Sequence, residues 1–181
     1  MPVSHYRHIN AIMSRIDRLW DSKKFNSILD IGVGFGKYGV LLRERYDVRF
    51  KRCKHSQWDI RIDGSEIYDD YLLPHIQYIY DRIYLGDICN TINGMHSYDV
   101  ILMLEVLEHI SKEKGIELIR SIKNLTNSLL IVSFPRSLKG DEGSDWPNTY
   151  ERHLCLWTKD ELMNEIGLVE TLSPTIFAQE M

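Results

Sequence analysis

The amino-acid sequence predicts an α/β fold, a doubly wound, mostly parallel sheet with helices on both faces and an antiparallel hairpin at the C-terminus. Short apolar runs typical of buried strands alternate with segments in which apolar residues recur at the period of a helix. A glycine-rich turn joins the first of these strands to the helix after it. Regular alternation of strand and helix produces parallel strands joined by helical crossovers.

Length and composition indicate one domain over residues 1–181, with 44% apolar and 27% charged residues. No apolar run approaches the roughly 18 residues of a membrane span, and the N-terminus lacks an export signal. We therefore expect a cytoplasmic protein without a membrane partner. The formal net charge of −4 argues against a general nucleic-acid partner.

The cysteine pattern predicts neither a disulfide framework nor a metal site. Cys53, Cys89 and Cys155 are scattered and form no C-x-x-C pair. We expect each of them to be a buried or inert thiol, since free cysteine behaves as a small hydrophobe.

The first element is predicted to be an amphipathic helix within residues 1–25 that covers the sheet. Ile9, Ile12, Ile16 and Leu19 recur at helical spacing. The strands that follow are predicted at 27–31, 59–65, 82–87, 98–105 and 128–134, and the helices at 37–45, 68–73 and 112–125.

The C-terminal part is predicted to contain one more helix and the hairpin. Thr158 and Glu161 have the spacing of a capping box, and Gly167 stands where a helix commonly ends. Two short β-like runs then flank Pro174 within residues 168–178. These runs predict the two strands of the hairpin.

The segment "DIGVGFG", residues 30–36, lies in the turn where an open α/β sheet binds ligands. Gly32, Gly34 and Gly36 allow a tight bend and close approach to the backbone, and the helix starting near Lys37 offers unpaired N–H groups. These features predict a nucleotide-like ligand. Read from Gly34, "GFGKYG" matches the dinucleotide pattern G-x-G-x-x-G, but Gly32 is then left inside the strand.

The pattern D/E-x-G-x-G-x-G is fully present from Asp30 to Gly36, and here the sequence resembles the first motif of class I S-adenosylmethionine-dependent methyltransferases. The resemblance implies a Rossmann-like fold, S-adenosyl-L-methionine as cofactor and methyl transfer as the activity. In that family the glycine turn approaches the amino-acid part of the cofactor. The resemblance places Asp30 near the cofactor ammonium.

Three further segments resemble the same family and imply further cofactor-binding residues. "RIDGSEIY" implies that Glu66 binds the ribose hydroxyls, with Asp63 as the competing candidate. "YLGDIC" implies Asp87 at the adenine amino group and Ile88 on the ring. "YDVILMLEVLEHI" implies Glu105 at the strand tip beneath the cofactor, with Glu108 and His109 in the following turn.

The methyl acceptor is predicted to meet His109 and a loop after the fifth strand. Residues 135–153 form a long polar segment at the ligand-binding edge, which is typical of a substrate-binding or lid loop. His153 and His109 are candidate general bases, because histidine exchanges protons near neutral pH. Trp146 and Tyr150 are candidate residues for the acceptor pocket.

We predict transfer of a methyl group to a small-molecule acceptor, because the compact chain and "VLEHI" resemble methyltransferases of that type. A protein, peptide or RNA acceptor is the alternative acceptor class. The sequence lacks the N/D/S-P-P-Y/F/W motif of amino-group methylases and the Pro-Cys of C5-cytosine enzymes. One alternative is a non-catalytic S-adenosylmethionine-binding subunit or sensor. Another is an NAD-dependent oxidoreductase, which rests only on "GFGKYG".

Overall fold

The structure, a computed structural model, describes residues 4–136 and 148–181. Its helices are α1 (Ile9–Ser22), α2 (Lys37–Tyr46), α3 (Pro74–Ile79), α4 (Ile88–Thr91), α5 (Lys112–Leu125) and α6 (Lys159–Ile166). Its strands are β1 (Ser27–Ile31), β2 (Arg61–Glu66), β3 (Arg82–Leu85), β4 (Tyr98–Leu104), β5 (Thr126–Ser133), β6 (Glu170–Ser173) and β7 (Ile176–Glu180).

The seven described strands form one sheet in the order β3-β2-β1-β4-β5-β7-β6. The first five are parallel, and β7 pairs antiparallel with both β5 and β6. The predicted mostly parallel α/β sheet with a C-terminal antiparallel hairpin is therefore confirmed. Since the chain adds strands first on one side of β1 and then on the other, the strand order reverses between β1 and β4.

Helices cover both faces of the sheet because strand side chains alternate between them. Ile28 of β1 packs with α1, α2 and α3, whereas its neighbour Leu29 packs with α4, α5 and α6. The α1 helix buries Ile12, Ile16 and Leu19 in the first of these layers. Both core layers thus start from successive residues of the same central strand.

The prediction of a helix over 68–73 is wrong, because α3 begins at Pro74 rather than ending there. Residues Asp69–Tyr71 form only a short 3-10 turn. A proline suits the first helical position, where its φ is preset and no N–H partner is needed. The extended conformation of Leu73 matches the restriction that a following proline imposes.

The predicted loop over 135–153 falls mainly on residues 137–147, which lie outside the described part of the chain. The described end of that segment holds a 3-10 turn, Thr149–Glu151, capped by the Asn148 side chain. In the part of the chain that the structure describes, no helix is long and apolar enough to span a bilayer.

Candidate active site

A cavity of about 570 Å³ opens at the carboxyl edge of the parallel strands. It lies where the strand order reverses, and its volume is in the range of roughly 300–1,000 Å³ typical of small-molecule sites. The ends of β1, β2 and β4 contribute Ile31, Glu66 and Leu104 to its wall. The cavity therefore occupies the place at which this fold binds ligands.

The glycine turn after β1 forms one wall of the cavity. Gly32, Gly34 and Gly36 all have positive φ, with values of 75°, 49° and 77°. A Cβ added at Gly32 would lie only 2.6 Å from Cγ2 of Val106, so a larger residue does not fit there. Gly32 and Gly34 line the cavity, whereas Gly36 caps α2 and faces Ile76 of α3 instead.

Asp30 lies at the base of this wall and is almost fully buried. The Tyr80 hydroxyl donates a hydrogen bond of 2.6 Å to its carboxylate. Burial raises the pKa of Asp30 to about 7, against the lowering effect of that hydrogen bond. The backbone N–H of Gly39 donates to the Tyr80 hydroxyl, and a Cβ at Gly39 would lie 2.5 Å from the ring. The last glycine of "GFGKYG" thus makes room for Tyr80.

Glu66 joins the glycine turn to the end of β2. Its carboxylate accepts hydrogen bonds from the N–H groups of Gly34 (3.0 Å), Ile67 (2.9 Å) and Tyr68 (3.1 Å). Burial raises its pKa, and the three backbone donors oppose this effect. A carboxylate has about four acceptor positions, so capacity remains for a ligand hydroxyl.

Asp63, the competing candidate, lies away from the cavity. It is fully buried, and its carboxylate accepts hydrogen bonds from the Tyr98 hydroxyl at 2.6 Å and from Arg61 at 2.7 Å. These contacts give Asp63 a structural role between β2 and β4. Only Glu66 of the two acids lines the cavity.

The end of β3 and the start of α4 supply Asp87 and Ile88 to the cavity wall. The Asp87 carboxylate also caps α4, accepting a hydrogen bond of 2.9 Å from the N–H of Cys89. Burial and the neighbouring Asp87 raise the pKa of Cys89 to about 11, so this thiol stays protonated near neutral pH. The carboxylate lone pairs of Asp87 that do not cap α4 remain available to accept a hydrogen bond from a ligand.

Glu105 follows β4 in a left-handed conformation, with φ of 56°, which is uncommon for a residue other than glycine. Its N–H donates to the Ser133 carbonyl at 3.1 Å, and the Ser133 hydroxyl donates to its carboxylate at 2.7 Å. β5 therefore holds Glu105 at the tip of β4. Strained residues of this kind cluster at functional sites.

The N-terminal segment closes another side of the cavity, which the sequence did not predict. Ser4 and His5 line it, and the Lys37 ammonium donates to the Ser4 carbonyl. Burial lowers the pKa of Lys37, while Asp30 and Glu105 act in the opposite direction. The only signal in the sequence was a lysine immediately after the glycine turn.

The far end of the cavity brings together residues from two distant parts of the chain. His109 follows β4 and His153 follows the turn at 149–151, yet their ring centroids lie 4.8 Å apart. Glu108, buried beside them, also lines the cavity. Tyr150 lies at its exposed edge, whereas Trp146 is outside the described residues.

Glu151 and Tyr71, which also line this end of the cavity, were not singled out from the sequence. Glu151 is buried and accepts a hydrogen bond of 2.6 Å from the Tyr71 hydroxyl, which ties the turn at 149–151 to the segment after β2. Burial raises the pKa of Glu151. Residues 49–55, "RFKRCKH", form a basic cluster in the sequence but contribute no residue to the cavity wall.

A family model described as a methyltransferase domain matches residues 3–167. The chain therefore belongs to the methyltransferase domain family, and the predicted membership of the class I S-adenosylmethionine-dependent methyltransferases is confirmed. No curated protein matches the sequence.

Solved structures share the fold at low sequence identity. Magnesium protoporphyrin IX methyltransferase from Synechocystis PCC 6803, with bound SAH, is 18% identical with a TM-score of 0.60, over 96% of this chain and 83% of that one. An amino pentose methyltransferase from Micromonospora echinaspora, with bound SAM, is 14% identical with a TM-score of 0.54, over 72% and 52%.

A third similar structure is the bifunctional kinase-methyltransferase WbdD, which is 15% identical with a TM-score of 0.65, over 96% of this chain. The present chain corresponds to 39% of the WbdD chain and, as above, to about half of the amino pentose enzyme, 52%. These similarities establish the fold shared with methyltransferases.

Proposed function

We propose that this chain transfers a methyl group from S-adenosyl-L-methionine to a small-molecule acceptor. One observation carries the proposal: the same cavity has the glycine turn and Glu66 at one end and the paired rings of His109 and His153 at the other. A methyl donor and an acceptor must share one enclosed space for an in-line displacement.

The residues at the glycine-turn end fit the cofactor. Glu66 is proposed to accept hydrogen bonds from the ribose hydroxyls, and Asp87 from the adenine amino group, with Ile88 against the ring. Asp30 is proposed to act near the ammonium group and Glu105 beneath the cofactor. The glycine turn supports this assignment, since Gly32 and Gly34 present backbone without a side chain to the cavity.

Gly32 and Gly34 are proposed to approach the amino-acid part of the cofactor. Gly36 is proposed to act indirectly, through the start of α2, because it faces α3 rather than the cavity. The chain's contribution is then to bind, align and exclude water, and S-adenosylmethionine supplies the electrophilic methyl group.

The acceptor is proposed to lie against His109, His153 and Tyr150, with Trp146 as a further predicted contact. The similar structures include enzymes named for a porphyrin and an amino pentose, which supports a small molecule as the acceptor. A cytoplasmic location, expected from the sequence, stays a prediction.

Turnover tests the proposal directly. The purified chain is incubated with methyl-labelled S-adenosylmethionine and a metabolite extract freed of macromolecules, and labelled product is separated by chromatography. We expect product from the wild type and from Glu117→Gln, an exposed control on α5, and at least a tenfold loss in Glu66→Gln. Cofactor binding without product from any extract would instead indicate the non-catalytic subunit or sensor.

Histidine variants test the acceptor end separately. His109→Ala and His153→Ala are expected to lower turnover by about a hundredfold, the lower range for loss of an acid or base group, with cofactor affinity nearly unchanged. Unchanged turnover in both variants would remove these histidines from the reaction.

A further inference from the structure

We propose that Glu108, His109 and His153 bind one divalent first-row transition-metal ion at the acceptor end of the cavity. The binding of the ion stands on the geometry of these three side chains. Its role in catalysis rests on the proposed methyl transfer.

The three side chains form a cluster with the donor atoms that such ions prefer. One carboxylate oxygen of Glu108 and one ring nitrogen from each histidine lie within 4.8 Å of one another. Nε2 of His109 lies 4.0 Å from Oε1 of Glu108. Metal–ligand bonds of about 2.0–2.2 Å require neighbouring ligand atoms to lie roughly 3–3.5 Å apart. Side-chain rotations that move the ligand atoms by about 1 Å would therefore complete the site.

The backbone holds the two contributing segments in register. The N–H of Leu154 donates to the Glu108 carbonyl at 2.7 Å, directly beside His153. The indole N–H of Trp157 donates to the Leu107 carbonyl at 3.1 Å. These two hydrogen bonds therefore fix the backbone around His153 against the turn that carries Glu108 and His109.

A second contact orients the His109 ring. Its Nδ1 lies 3.3 Å from the Arg152 carbonyl, so the tautomer protonated at Nδ1 donates there and presents the Nε2 lone pair on the side of Glu108. Metal-binding histidines commonly donate their other ring N–H to a carbonyl or carboxylate in this way.

The donor set indicates the class of ion. Two imidazoles with one carboxylate suit Zn²⁺, Fe²⁺, Co²⁺ or Ni²⁺, whereas Mg²⁺ and Ca²⁺ prefer oxygen ligands. Three protein ligands leave at least one coordination position for water or substrate. All three residues line the cavity, so that position faces the proposed acceptor.

A metal ion at the acceptor end of the cavity indicates that the acceptor is a small molecule with a hydroxyl group. When the hydroxyl oxygen binds the ion, its O–H bond breaks, the proton passes to water and the electron pair stays on oxygen. Metal ions favour this ionisation near neutral pH by lowering the pKa of the bound group. The two histidines then act on the acceptor through the metal, in place of the general-base role considered above.

Metal binding to the full-length, chelator-treated chain tests the proposal. Zn²⁺ is titrated calorimetrically, and Co²⁺ binding is followed by its visible absorption, both in the absence of S-adenosylmethionine. We expect one ion per chain and at least tenfold weaker binding in His109→Ala, His153→Ala and the bulkier His153→Gln. His96→Ala is the matched control, because His96 is exposed and lies just before the start of β4, whereas the proposed site lies beyond the end of that strand. This variant should bind the metal ion like the wild type.

Absence of stoichiometric Zn²⁺ and Co²⁺ binding, or equal affinity in the wild type and folded His153 variants, would overturn the proposal. Stoichiometric binding of Mg²⁺ alone would overturn the assigned class of ion. A parallel cofactor titration of the metal-free chain separates the two proposals. Intact S-adenosylmethionine binding without metal binding removes the metal site alone, and the converse removes the proposed function.

Discussion

At the scale of single residues, Asp30 is deeply buried, and its carboxylate is proposed to act near the ammonium group of the cofactor. Its pKa is raised to about 7 from 3.8. The folded chain therefore holds a proton between about pH 4 and pH 7 that the unfolded chain has already lost. The contribution of Asp30 to the free energy of unfolding is therefore greatest at low pH. It falls as the pH rises from about 4 to about 7 and stays reduced above that range.

Asp30→Asn should accordingly raise the melting temperature above about pH 7, with the gain shrinking toward about pH 4, because the amide cannot ionise. Calorimetric melts at about pH 4, 6 and 8 measure this dependence. Asp21→Asn, at an exposed position on α1, should show no such trend. A melting-temperature difference that is the same at every pH would contradict the buried-charge explanation.

Motif spacing could predict that Gly32, Gly34, Glu66 and Asp87 lie at the cavity, because each stands at or just beyond the end of a strand. It could not predict Tyr80, whose hydroxyl reaches Asp30 from 50 residues away. It favoured Glu66 over Asp63, but it left Asp63 as a candidate. That choice depends on which way each side chain of β2 points, and thus on the true end of the strand at Glu66.

At the scale of elements, local signals were most accurate where they are strongest. α5 and β1 match their predicted bounds, since both have clear apolar periodicity. α6 has the predicted capping box, in which Thr158 and Glu161 exchange side-chain to backbone hydrogen bonds. α3 was missed because Pro74 stops one helix pattern and starts another equally well.

Thr158→Ala should lower the free energy of unfolding by about 1 kcal/mol, the usual loss for an N-cap. Urea unfolding followed by circular dichroism measures it. Thr158→Ser keeps the hydroxyl and should stay within about 0.5 kcal/mol of the wild type. An Ala variant as stable as the Ser variant would show that the cap does not contribute.

At the scale of the whole molecule, contacts between distant segments decide what the sequence alone could not. The order of strand and helix sufficed for the parallel sheet, but nothing local joins His109 to His153. The cysteine spacing suggested no metal, whereas the cluster at the cavity end is made from three other side chains. Its members come together only when β4 and the segment before α6 meet.

The segment between α2 and β2 shows the same dependence on tertiary contacts. Arg43 of α2 is buried, pairs with Asp47 at 3.0 Å and Asp81 at 2.6 Å, and stacks over Trp58 with a 4.0 Å separation. Asp47 is fully buried and also accepts from Arg52. This network connects α2, the segment between α2 and β2, and the start of β3.

Arg43→Leu should destabilise the fold by about 3–5 kcal/mol, because it removes one member of a buried ion pair and leaves the fully buried Asp47 with Arg52 as its remaining cationic partner. Arg45→Leu is the matched control, since its partner Asp17 is partly exposed, and it should change stability by less than about 1 kcal/mol. Chemical unfolding of both variants gives the comparison. Similar losses in the two would mean that the buried network is not the main connection.

The most direct test of the whole account is calorimetric titration of the purified chain with S-adenosylmethionine, S-adenosylhomocysteine and NAD in parallel. We predict one-to-one binding of the two adenosyl ligands, no binding of NAD, and at least tenfold weaker binding of the adenosyl ligands in Glu66→Gln but not in Glu117→Gln. Binding of NAD alone, or of none of the three, would contradict the assignment of this cavity to a methyl donor.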